Sequence, residues 1–60
     1  MFWNDYYENG LMREVNGNFE GAIDDYINAI EALGDELPHT VAALRGRIEQ
    51  LRQRIASRDK

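Results

Sequence analysis

Between Phe19 and Leu33 the apolar residues recur at helical intervals. Phe19, Ala22, Ile23, Tyr26, Ile27, Ala29, Ile30 and Leu33 fall on one side of a helical wheel, and Glu20, Asp24, Asn28 and Glu31 on the other. This predicts an amphipathic helix over 18–33, the cleanest in the chain. Upstream, over 2–16, Phe2, Trp3, Tyr6, Tyr7, Gly10, Leu11 and Val15 spread over a broad arc with Glu14 in its middle. An arc of that width implies two packing neighbours. Downstream, over 38–57, Val41, Leu44, Ile48, Leu51 and Ile55 alternate spacings of three and four, which is the narrow seam of a heptad pattern.

The residues between these segments punctuate them. Gly17 suits the left-handed position that closes a helix, and Asn18 suits the N-cap of the next one, so the first loop is expected to be minimal. Gly34 is expected to close the second helix in the same manner. In the following connector, Pro38 is tolerated only in the first turn of a third helix, with Asp35 or Glu36 as its cap. The sequence therefore predicts an all-α chain, residues 1–60 as a single domain, with helices over 2–16, 18–33 and 38–57.

Length changes what that core can do. A chain of 60 residues buries only about 60% of the surface its unfolded form exposes. Its core supplies about 3 to 5 kcal/mol unless something else adds to it. There is no cysteine to staple it, so association with a second chain is the expected supplement. No run of about 18 apolar residues could span a bilayer, and no basic stretch precedes an apolar core near the N-terminus. The expectation is a complete small cytoplasmic protein without a membrane segment.

The net charge of -4 hides a division. Residues 1–37 carry nine acids against Arg13 alone, a net of -8, whereas residues 38–60 carry six cations against Glu49 and Asp59, a net of +4. The two parts should attract. Arg45 and Arg52 flank the third helix's seam on one side, and Arg47 and Arg54 on the other. Two such seams packed together would set like charges face to face, so the seam matches the acidic hairpin better. These four arginines are expected to orient that contact, whether the helix folds back on its own hairpin or onto a neighbour's. Glu14, inside an apolar arc, calls for a partner among Arg45, Arg47 and Arg52, because an unpaired buried charge is costly.

With these residues in view, the chain resembles a tetratricopeptide repeat over about residues 3–36. Tyr6 stands where that family usually has a tryptophan, and Gly10 is the small residue of the first helix. Gly17, Asn18 and Phe19 make the turn, and Ala22, Tyr26 and Ala29 follow at the family's spacing. Asn9, Arg13 and Gly34 depart from the pattern. The resemblance implies a helical hairpin in which Gly10 and Ala22 allow close approach while Tyr6, Phe19 and Tyr26 fill the remaining volume. A period of about 34 residues would put a second turn near Leu51, where nothing interrupts the helix. The third helix therefore reads as a cover for one hairpin.

For function, the resemblance implies a ligand groove on the first helix, at Asn4, Tyr7, Leu11, Glu14 and Val15. The competing reading makes Tyr7, Leu11 and Val15 core beneath the third helix. The family's clamp for a terminal carboxylate is rejected, since Tyr7 and Leu11 occupy the places that need Lys and Asn. The aromatic cluster Phe2, Trp3, Tyr6 and Tyr7 either packs internally or anchors a partner. The partner-binding set expected is Trp3, Asn4, Tyr7, Leu11 and Glu14, in a non-enzymatic protein-interaction or scaffolding module that forms a homo-oligomer. The alternative is a nucleic-acid-binding accessory protein using the arginines of the third helix. No cofactor is expected. His39 has no nucleophile motif beside it, and neither the Asp24–Asp25 pair nor Glu36 with His39 has repeated metal-ligand spacing.

Overall fold

At the start of the chain Phe2 is extended, with φ -84° and ψ 158°, and the helix begins one residue later. Asp5 supports that start: its carboxylate accepts from the Phe2 N–H at 3.3 Å, the return half of a capping box. The computed structural model describes residues 2–58, which form α1 (Trp3–Val15), α2 (Phe19–Leu33) and α3 (Pro38–Arg58) without a strand. The fold is all-α, and each helix boundary lies within one residue of the sequence expectation. Met1, Asp59 and Lys60, the last two of which entered the charge division, lie outside the described residues.

The α1–α2 turn follows from two residue types. Gly17 has φ +82°, and around it the Asn18 N–H donates to the Arg13 carbonyl at 2.8 Å and the Gly17 N–H to the Glu14 carbonyl at 3.0 Å. These two bonds are the paired closure of a Schellman motif. Asn18 then caps α2, its side-chain oxygen accepting from the Gly21 N–H at 3.0 Å.

The α2–α3 connection departs from expectation. Gly34 has positive φ but ψ -121°, so α2 does not close as α1 does. Neither Asp35 nor Glu36 stands at the start of α3. Leu37 does, its carbonyl accepting from the Val41 N–H at 3.1 Å. Leu37 has φ +50°. The ring of Pro38 disfavours right-handed helical geometry in the residue before it, and the chain enters α3 through a conformation that costs a residue with a Cβ about 1 kcal/mol.

Helix α2 is the centre of the molecule. Ala22, Tyr26, Ala29 and Leu33 on α2 are buried together with Leu44, Ile48 and Leu51 on α3. Val41 and Ile55, at the ends of the α3 seam, are half-buried. The third helix thus folds back on its own hairpin. α1 and α3 flank α2, and among the described residues no Cα of α1 comes within 8 Å of one in α3. Accordingly α1 supplies no large fully buried side chain. Its buried residue is Gly10, while Trp3, Tyr6 and Tyr7 are half-buried against the core.

Candidate functional site

Tyr26 ties the three helices together. Its ring is fully buried and lies where a side chain at position 10 would be: a Cβ on Gly10 would come 2.5 Å from Tyr26 Cε1 and 2.8 Å from Cδ1. Glycine is therefore required at position 10 by the tyrosine ring across the interface. The Tyr26 hydroxyl donates to Glu14 Oε1 at 3.0 Å, and Arg47 Nε donates to the same oxygen at 3.1 Å. The Arg47 guanidinium also lies 6.0 Å from the centre of the Tyr26 ring, within cation–π range. One carboxylate on α1 thus joins a phenol on α2 to a cation on α3. Of the three arginines the sequence allowed for Glu14, geometry selects Arg47. Burial, reinforced by the hydrogen bond to anionic Glu14, pushes the Tyr26 hydroxyl up to about 12.

Above this network the α1 and α3 backbones stay apart and leave a groove. Trp3 and Tyr7 form one wall, and His39, Thr40, Ala43 and Leu44 the other, around a volume of about 340 Å³. The aromatic side chains are stacked in series. The rings of Trp3 and Tyr7 are 6.1 Å apart and tilted by 50°, and those of Tyr7 and Tyr26 are 5.9 Å apart and tilted by 41°. Such offset geometry is favoured between aromatic quadrupoles. It gives the Trp3–Tyr7 wall a firm backing in the buried ring.

The expected partner-binding residues do not form one surface. Trp3 and Tyr7 line the groove. Asn4 is exposed two turns from Leu11, which belongs to a separate apolar patch with Met12 and Val15. Met12 is 64% and Val15 86% exposed, so the reading of Val15 as core is corrected: it lies with Leu11 and Met12 on an open patch of α1. Glu14, expected to face a partner, spends its Oε1 on Tyr26 and Arg47. Phe2, at 79% exposure, stands apart from the half-buried Trp3, Tyr6 and Tyr7.

The expected charge-orienting arginines divide similarly. Arg47 makes the internal bridge just described. Among the described residues, Arg45, Arg52 and Arg54 have no carboxylate within 4.0 Å. The second bridge between the acidic hairpin and α3 comes instead from Arg58, paired with Glu20, whose hydrogen bond holds the Glu20 carboxyl below its ordinary value. Arg58 is the last described residue of α3, too far along the helix for the seam argument to single it out.

One pairing and the glycine beside it escaped the sequence reading. Arg13 Nε lies 2.8 Å from Asp25 Oδ2, an ion pair without hydrogen-bond alignment that clamps α1 to α2. Gly21 leaves room for this clamp. A Cβ there would come 2.6 Å from the Asn18 amide and 2.9 Å from the Arg13 guanidinium. The signal available was Gly21 itself, a helix-weakening residue three positions after a cap. Among the described residues, no three His, Cys, Asp or Glu side chains are grouped to hold a metal ion, and no helix is long and apolar enough to cross a membrane.

Comparison of the chain with protein-family models, with curated proteins and with solved structures returns no match.

Proposed function

We propose that this chain is a small protein-interaction module, a single hairpin similar to a tetratricopeptide repeat with α3 as its cover. In this reading the groove between α1 and α3 receives an apolar side chain from a partner peptide or helix. The observation that carries the reading is the Trp3–Tyr7 wall. Two large aromatics, partly open to solvent, face Ala43 and Leu44 across about 340 Å³, and large aromatics with one face desolvated are favoured anchors in protein recognition. His39 and Thr40 supply polar groups at the same opening, which suits a partner whose backbone or polar edge accompanies its apolar anchor. Self-association through other apolar faces belongs to the same reading, because a core of this size gains from being covered.

The nucleic-acid alternative draws less support. Arg47 and Arg58 are committed to Glu14 and Glu20. Arg45 and Arg52 alternate with Glu49 along α3 and so present no stripe of one sign to a phosphate backbone.

A displayed peptide library, selected against the protein, tests the reading. Selection should enrich peptides that share an apolar anchor, and their addition should shift the emission of Trp3, the single tryptophan. Ala43 is exposed, so Ala43→Arg fills the groove without removing a core contact and should abolish both effects. Enriched peptides that bind Ala43→Arg equally well would place recognition elsewhere.

A further inference from the structure

On the side of the molecule away from Trp3, α2 and α3 leave a second groove of about 360 Å³ whose floor is Ile27, Ile30 and Ile48. Ile23, Ile27 and Ile30 are all half-buried and follow one another at intervals of four and three, so a continuous row of branched aliphatic side chains remains partly exposed along α2. The rim carries Glu31 and Glu49 together with Arg45 and Arg52. Among the described residues none of these four makes an ion pair within 4.0 Å. An apolar floor is thus bordered by two anions and two cations, all exposed to solvent and, among the described residues, none committed to an ion pair within the chain.

That balance identifies an occupant. A partner surface of a single sign would meet like charges on half of the rim, and like charges brought together at an interface disfavour binding. A twofold contact between identical patches, in contrast, requires one surface to carry both signs, so that each group faces its opposite on the other copy. We propose that the α2–α3 groove is the seat of a homodimer in which a second copy of this chain presents the same groove. Arg45 and Arg52 of each copy face Glu31 and Glu49 of the other, and the two isoleucine rows pack together. This rests on the self-association in the functional reading above and assigns it to a face remote from Trp3, so the α1–α3 groove stays open on both copies of the dimer.

Sedimentation equilibrium on three exposed-charge forms tests the proposal. The unaltered chain should sediment at twice its mass of 7.0 kDa. Arg45→Glu/Arg52→Glu makes the rim wholly acidic, and Glu31→Arg/Glu49→Arg makes it wholly basic. Each double variant alone should sediment as a monomer with unchanged helical circular dichroism, and an equimolar mixture of the two should recover the dimer mass. A monomeric unaltered chain overturns the proposal. So does a double variant that dimerises by itself, or a mixture that stays monomeric while the unaltered chain is a dimer. Ala43→Arg should leave the dimer mass unchanged, so failure of peptide binding and failure of dimerisation are read separately.

Discussion

At the scale of single residues, what a position tolerates is set by what lies opposite its Cβ. Gly10 and Gly46 both lie inside helices, where alanine is intrinsically preferred by about 1 kcal/mol. At Gly46 a Cβ would meet nothing within 4 Å, whereas at Gly10 it would fall 2.5 Å from the buried Tyr26 ring. The same substitution should therefore have opposite effects. Gly46→Ala should raise stability by about 1 kcal/mol, and Gly10→Ala should lower it by about 1 to 3 kcal/mol through overpacking; urea denaturation followed by circular dichroism measures both. Tyr26 adds a dependence on pH. Its hydroxyl is pushed up to about 12 in the fold and titrates near 10 in the unfolded chain, so the neutral form is the one the fold favours. The resulting stability is fully present below about pH 10 and is lost as pH rises toward about 12. Tyr26→Phe removes the ionisable group, and the fall in stability across that window should shrink with it. Denaturation curves of both forms at matched alkaline pH values give the comparison.

At the scale of elements, the helices were legible because periodicity and punctuation agreed. The α2 stripe ran between Asn18 and Gly34, and both residues act at the ends of the helix, although Gly34 does so with its own backbone geometry. The α3 seam was legible for the same reason, and its three central residues are the buried ones. The relation of α1 to α3 was not legible. A broad apolar arc on α1 predicted two neighbours, but part of that arc is filled by a tyrosine from α2 and part is open, which a wheel of α1 alone cannot distinguish. Glu14 was identifiable as a charge in need of a partner. The choice of Arg47 over Arg45 and Arg52 depended on the rotation of α3 about its seam, which is fixed only by packing on α2. Leu37 was invisible for a different reason, since a positive φ at leucine is unfavourable locally and Pro38 disfavours only the right-handed helical region in the residue before it. Because α1 and α3 meet only through side chains, the Glu14–Arg47 pair should show measurable coupling. With both side chains partly exposed, a double-mutant cycle of Glu14→Gln and Arg47→Met should return about 0.2 to 1 kcal/mol. A coupling of zero would mean that this ion pair does not help to hold α1 against α3.

At the scale of the whole molecule, a slender body of 38 × 18 × 13 Å has few residues far from its surface. Its core is divided between α2 and α3, so α3 is a structural necessity as well as one wall of the proposed binding groove. A chain ending after residue 37 loses Leu44, Ile48 and Leu51, three of the seven buried apolar residues among those described, and should lose most of its helical circular dichroism; retention of a cooperative unfolding transition would show that the hairpin is autonomous. The account as a whole depends on Tyr26 reaching across to α1 at Gly10, stacking under Tyr7 and standing beneath Arg47. Nuclear Overhauser spectroscopy on the labelled protein tests that arrangement directly. It should show cross-peaks from the Tyr26 ring protons to Gly10 Hα, to the Tyr7 ring and to the Arg47 side chain. A folded, helical protein without the Gly10–Tyr26 cross-peak would contradict the account.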